Sequence, residues 1–147
     1  MGKNFSFRFD TILNLKEMQE DNKKSQLGNA TQKLKKEEEN LFQLLNKKNN
    51  LSYQWKERTK EAITIKEVQI HASKLKYIDE VIINQSKKVL NCESTVNNCR
   101  IQLIEATKQT KIFNKLKEKD SDVFQYQLMK NEEALLDQLV SYKTAVK

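Results

Sequence analysis

The sequence predicts an all-α protein that folds as a long two-helix antiparallel coiled-coil hairpin. Apolar residues recur in alternating steps of three and four over more than five heptads, which is the spacing of a coiled-coil seam. The chain has 147 residues, no proline and only two glycines, so little interrupts a helix. A helix-start signal divides the apolar pattern into two parts. We therefore expect one domain, residues 1–147, made of two helices.

The first helix is predicted from about residue 5 to about residue 60. Its heptad frame passes through Lys16, Glu20 and Lys23, so the packing there is expected to be loose. Alternatively, the stripe drifts toward Leu15 and Met18. The apolar members of the frame are Phe9, Leu13, Leu27, Ala30, Leu34, Leu41, Leu44, Leu51, Trp55, Ala62 and Ile65.

A capping signal places the turn between the helices near residues 61–65. Thr64 stands three residues before Glu67, so its hydroxyl can accept the Glu67 N–H while the Glu67 carboxylate reaches back. Ile63 and Val68 occupy the flanking positions of a hydrophobic staple. The second helix is therefore predicted from about residue 65 to about residue 145.

The second helix carries the longest uninterrupted apolar stripe of the chain. If it folds back on the first helix from a turn near residue 62, facing residues have numbers that add to about 125. The stripe consists of Leu75, Ile78, Ile82, Gln85, Val89, Cys92, Val96, Cys99, Leu103, Ala106, Thr110 and Phe113.

The second helix is predicted to be longer than the first, so roughly its last 25 residues are expected to extend past the first helix. A kink or frayed segment is expected at residues 119–122, where charged and small polar residues cluster. An apolar stripe continues beyond it with no residue of the first helix to cover it. Its members are Phe124, Leu128, Leu135, Leu139, Tyr142 and Val146.

Catalytic and ligand-binding signatures are sparse, and we expect no enzymatic activity and no cofactor. The sequence has no glycine-rich phosphate loop, no HExxH and no CxxC. Cys92 and Cys99 lie seven residues apart on one helix, too far for a disulfide. With His71 as the only histidine, no metal site is expected. The absence of an apolar span or signal segment predicts a cytoplasmic protein.

Charge changes sign abruptly late in the chain. Residues 108–119 hold five lysines and one acid, and residues 120–142 hold five acids and one lysine, within a chain of net charge +7. A solvated helix surface, a charge-matched socket for another protein and a nucleic-acid site are all compatible with this step. Nucleic acid is the least favoured, because only three arginines occur and aromatic residues do not alternate with the lysines.

The two ends of the chain resemble one protein family. The start, FSFRFDTILNLKE (Phe5–Glu17), and the end, FQYQLMKNEEALLDQL (Phe124–Leu139), bracket a proline-free coiled coil and resemble the flagellar export protein FliJ family. The resemblance implies a soluble, stalk-like coupling factor of the flagellar type III export apparatus. Its implied partners are the export ATPase ring, the export-gate membrane protein and export chaperones, with peripheral membrane association through these partners.

The resemblance also implies two docking surfaces. The ATPase-docking end would comprise Phe7, Phe9, Leu13, Leu116, Phe124, Glu133, Leu135 and Asp137. The gate-docking patch would comprise Leu44, Leu51, Trp55, Leu75, Ile78 and Ile82.

Two other functions remain open from the sequence. A basic helical hairpin could bind nucleic acid or an acidic membrane surface, and a generic structural coiled coil could form a dimer. Binding driven by phosphate contacts would weaken steeply with salt, whereas docking through apolar residues would not.

Overall fold

Two long helices form an all-α helical hairpin, as the heptad pattern predicts. The computed structural model describes residues 4–146, in which α1 spans Asp10–Arg58 and α2 spans Ile65–Val146. Contacts group these residues into two compact units, one formed by residues 4–22 and 104–146 and the other by Lys23–Leu103. That residues 1–147 form one domain stays a prediction, and residues 1–3 and 147 lie outside the described residues.

The helices run antiparallel in the register that the sequence predicts. In the unit Lys23–Leu103, the Lys23 ammonium donates to the Gln102 side chain over 3.1 Å, and the Lys48 and Asp79 side chains pair at 2.7 Å. The numbers of these paired residues add to 125 and 127. Since the expected sum is about 125, the turn position and the register agree with each other.

Burial follows the predicted seams except where they meet at the turn, because Ala62 and Ile65 are exposed. Val89, Cys92 and Val96 are buried along α2, and Val96 is only 3% exposed. On α1 the frame continues straight through its polar positions, which are half-buried, whereas Leu15 and Met18 are exposed. The alternative of a stripe that drifts toward Leu15 and Met18 is therefore wrong.

The start of α1 differs from the prediction. The helix begins at Asp10 rather than near residue 5, and residues 4–9 are not helical. Phe5, Phe7 and Phe9 alternate with polar residues, which is the two-residue period of an extended segment rather than a helical period. Asp10 then places a carboxylate in the first turn, where the helix dipole favours negative charge.

The turn between the helices uses only part of the predicted capping box. The Glu67 N–H donates to the Thr64 hydroxyl over 3.2 Å, and α2 begins at Ile65, as predicted. The Glu67 carboxylate instead pairs with the Arg58 guanidinium at 3.0 Å. Arg58 also donates to the carbonyl of Ala62 over 3.2 Å, so one side chain ties the end of α1 to the turn and to the start of α2.

The last part of α2 is also more regular than expected. The helix is continuous through residues 119–122, so the predicted kink is absent. Phe124 is not left uncovered, because its ring lies 5.6 Å from the ring of Phe5 in the non-helical N-terminal segment. Exposure along the predicted stripe begins after Leu128, which is half-buried.

A buried polar contact interrupts the apolar seam of the unit Lys23–Leu103. The Gln85 side chain is 8% exposed and donates to both the carbonyl and the carboxylate of Glu37. Two polar groups that satisfy each other only when aligned favour one register over its neighbours. This hydrogen bond is also the main reason that the pKa of the Glu37 carboxyl lies below its ordinary value.

Gln85→Leu is expected to make the stability of the fold depend less on pH in the acidic range. A lowered pKa in the folded state stabilises the fold above the ordinary value of 4.5, and this contribution disappears as the pH falls through the lowered value. Removing the Gln85 donor returns the Glu37 pKa toward 4.5, so the free energy of unfolding should depend less on pH in that range. Urea unfolding at a series of acidic pH values measures this, with Glu37→Gln as the matched variant that cannot titrate. If Gln85→Leu keeps the wild-type pH dependence, then Gln85 does not set the pKa of Glu37.

Candidate interaction surfaces

An aromatic cluster anchors the N-terminal segment in the unit formed by residues 4–22 and 104–146. The ring of Phe9 packs edge-on against Phe7 at 5.7 Å and against Phe113 of α2 at 6.4 Å. The guanidinium of Arg8 lies 4.6 Å from the centre of the Phe9 ring. Phe7 is only 5% exposed. These contacts hold the non-helical segment against α2, where aromatic pairs add to the energy of burial.

Polar contacts fix the same unit. The Lys117 ammonium lies 3.6 Å from the Asp10 carboxylate, at the basic side of the charge step in α2. The Thr110 hydroxyl is buried, within 3.3 Å of the Lys16 carbonyl and 3.1 Å of the Ala106 carbonyl. Since a hydroxyl has one hydrogen, it donates to one of these carbonyls at a time, and either bond satisfies it.

The C-terminal segment, defined as Met129–Val146, is exposed along its whole length. The Lys130 ammonium lies 3.8 Å from the Glu133 carboxylate and 5.5 Å from the centre of the Tyr126 ring. Helical structure is retained although no other part of the described chain covers this segment. Its exposed large apolar residues are Met129, Leu135, Leu136, Leu139, Val140, Tyr142 and Val146.

The eight residues expected at the ATPase-docking end fall into three groups by exposure. They are, in the order buried, half-buried and exposed, Phe7 and Leu13; Phe9, Leu116 and Phe124; and Glu133, Leu135 and Asp137. The five in the first two groups pack within their own unit. Only the last three are exposed to solvent.

A shallow groove lies beside the turn in the unit Lys23–Leu103. Trp55 and His71 stack face to face, with their rings 4.2 Å apart and inclined by 5°. Together with Leu51 and Arg58 they line a cavity of about 300 Å³. The groove therefore combines an aromatic wall with the Arg58–Glu67 ion pair at its rim.

The six residues expected in the gate-docking patch all lie in this unit and are half-buried. They are Leu44, Leu51, Trp55, Leu75, Ile78 and Ile82. Each has a packing role in the seam as well as an exposed edge. The sequence-based list omits Tyr53 and Tyr77, which are mostly exposed; their position beside the heptad frame is the signal that could have identified them.

Neither ligand chemistry nor a membrane span is evident in the described part of the chain. Within residues 4–146, no three histidine, cysteine, aspartate or glutamate side chains lie close enough together to hold a metal ion. Cys92 and Cys99 are free thiols, the first buried and the second half-buried. Neither α1 nor α2 has a stretch apolar and long enough to cross a bilayer.

Comparison with known proteins gives one consistent result. The model of the family described as "Flagellar FliJ protein" matches residues 5–147. A curated relative, the flagellar FliJ protein of Bacillus subtilis (strain 168), is 24% identical over 120 residues, which cover 82% of this chain and 82% of the relative. No solved structure gives a significant match. The family match spans both unusual features of the fold, the aromatic N-terminal segment and the exposed C-terminal segment.

Proposed function

Since this chain belongs to the flagellar FliJ family and is thus a component of the flagellar export apparatus, we propose that it acts as a non-enzymatic stalk that couples the export ATPase to the export gate. In this proposal the C-terminal segment docks into the ATPase ring and the turn region contacts the gate. Escort of export chaperones is a third proposed role. The protein would work in the cytoplasm, held at the membrane by its partners.

The observation that carries the proposal is the exposed C-terminal segment. Monomeric proteins rarely leave a continuous apolar surface uncovered, and such a surface usually marks a binding site. Leu135, Leu139 and Tyr142 are each more than half exposed on a segment that is already helical. A preformed helix loses less conformational entropy on docking than a disordered tail would.

The turn region supports the gate contact in a similar way. Its exposed aromatic residues, Tyr53 and Tyr77, accompany the Trp55–His71 groove. Tryptophan and tyrosine are favoured anchors of protein interfaces because they bury a large area with few rotatable bonds.

A salt titration distinguishes this proposal from nucleic-acid binding by a basic hairpin. Binding of the purified chain to the export ATPase and to duplex DNA is measured from low to physiological salt. We expect ATPase binding to persist, because salt screens charges and not apolar contacts. Any DNA binding should fall steeply, because the release of counterions from the phosphates is less favourable at higher salt. Failure to bind the ATPase at any salt concentration, with DNA binding retained, would contradict the coupling role.

A further inference from the structure

One face of the C-terminal segment has a pattern that is complementary to itself. At about 100° of rotation per residue, a single seam runs along it in steps of three and four. Two leucines occupy the middle of this seam. A negative charge lies before them and a positive charge after them, and an apolar residue stands at each end. In order, the seam is Met129, Glu132, Leu136, Leu139, Lys143 and Val146.

The reversed copy of this seam matches the original position by position. In an antiparallel pair centred between residues 137 and 138, Leu136 faces Leu139 of a second copy. Glu132 then faces Lys143, and Met129 faces Val146. Each pair joins an a position of one heptad seam to a d position of the other, which is how seam residues meet in antiparallel coiled coils. Two-fold symmetry repeats every contact, so the interface has a hydrophobic centre flanked by two ion pairs.

The residues beside the seam fit the same arrangement. Leu135 of one copy would lie next to Tyr142 of the other, which covers two side chains that are 61% and 69% exposed in the structure. Among the described residues, neither Glu132 nor Lys143 has an ion pair within the chain, whereas Glu133 is paired with Lys130. The charges that the seam needs are therefore free to pair with another molecule.

Charge also selects the orientation and permits the association. A parallel pair would place Glu132 against Glu132 and Lys143 against Lys143, and like charges in a seam repel. The net charge of residues 129–146 is −1, from two lysines and three acids, although the whole chain carries +7. Two copies can thus approach at this segment without the repulsion expected between the basic parts of the chain.

We infer that the free protein associates with a second copy of itself through an antiparallel pairing of Met129–Val146. The pairing is reversible and short, about 27 Å of helix at the usual rise per residue. It covers Leu135, which the proposed function assigns to the ATPase, so self-association and ATPase docking would exclude each other. The pairing itself does not depend on the proposed function, because it requires only this chain.

Charge reversal in the full-length chain tests the inference without any other protein. Sedimentation equilibrium is expected to show a monomer–dimer equilibrium for the unaltered chain. Glu132→Lys and Lys143→Glu should each raise the dissociation constant about tenfold or more, since each creates two like-charge contacts. Lys130→Glu is the matched control: it makes the same charge change as Lys143→Glu but lies about 140° away around the helix, so dimerisation should be unaffected.

Mixing the two charge-reversed chains gives the decisive result. Glu132→Lys and Lys143→Glu are each weak alone but restore both ion pairs when combined, so a mixed dimer should form with nearly the original affinity. A monomeric unaltered chain at all concentrations would overturn the inference. So would single variants that dimerise normally, or a mixture that stays as weak as its components. Because no ATPase is present, these outcomes are separate from those that test the coupling role.

Discussion

Val96→Asp is expected to destabilise the helical hairpin strongly at neutral pH. Val96 is 3% exposed in the seam of α2. An uncompensated carboxylate buried there should cost roughly 3–5 kcal/mol. That is a large fraction of the total stability of a small domain, about 5–15 kcal/mol. Circular dichroism during urea and thermal unfolding measures the effect.

Ile101→Asp is the matched control for this prediction. Ile101 is also β-branched and lies near Val96 on α2, but its side chain is 65% exposed. A carboxylate at that position stays hydrated, so the unfolding midpoint should change little. An unaltered melting curve for Val96→Asp, or an equal loss of stability in both variants, would contradict the prediction that the buried residues of the α2 seam stabilise the fold.

Leu135→Ala combined with Asp137→Ala is expected to weaken binding to the export ATPase about tenfold or more, which corresponds to about 1.4 kcal/mol. Both side chains are exposed and have no packing role in the described chain, so the substitutions should leave the hairpin folded. The lost energy would come from an apolar anchor and a charge at the proposed interface. Affinity for the ATPase and stimulation of its hydrolysis are both measured, with circular dichroism as the folding control.

Trp55→Ala is expected to give the reciprocal result, with normal ATPase binding and a weaker gate contact. Because Trp55 also stacks on His71, a Trp55→Phe variant is measured alongside to separate loss of docking from loss of the stack. Tyr53→Ala is measured as a second surface variant and should also weaken the gate contact, because Tyr53 is an exposed aromatic residue of the same turn region. If the terminal double variant and Trp55→Ala lose the same partner, or if the terminal variant binds the ATPase normally, the assignment of the two functions to separate surfaces is wrong.

Local periodicity explains why so much of the hairpin could be predicted from the sequence. A heptad seam is defined by neighbours three and four residues apart, so burial from Leu75 to Phe113 follows from the order of residues along one helix. The start of α2 is equally local, since Thr64 and Glu67 lie within one helical turn. The antiparallel register then follows from the position of that turn.

The docking surfaces are less accessible to sequence reasoning, because exposure depends on what covers each side chain. The apolar stripe after Phe124 was predicted as uncovered, yet Phe5 packs on Phe124 and leaves the exposed part to begin later. The residues assigned to the two docking surfaces by family resemblance include buried and half-buried members, and their roles stay predictions. Exposed Tyr53 and Tyr77 do not belong to the predicted gate-docking patch, because they lie beside the heptad frame and periodicity alone does not show whether such a residue is covered.

Apart from the start of α1 and the kink expected in α2, the sequence by itself thus determined the helices, the turn and the antiparallel register, because each depends on contacts within a few residues or on simple chain reversal. Only the tertiary structure decided which polar groups meet across the seam. Gln85 donates to Glu37, 48 residues away in the chain, and the Glu67 carboxylate accepts from the Arg58 guanidinium rather than from the Thr64 N–H. Such pairings depend on side-chain geometry between separate helices, where several partners lie within reach and only the folded arrangement selects one.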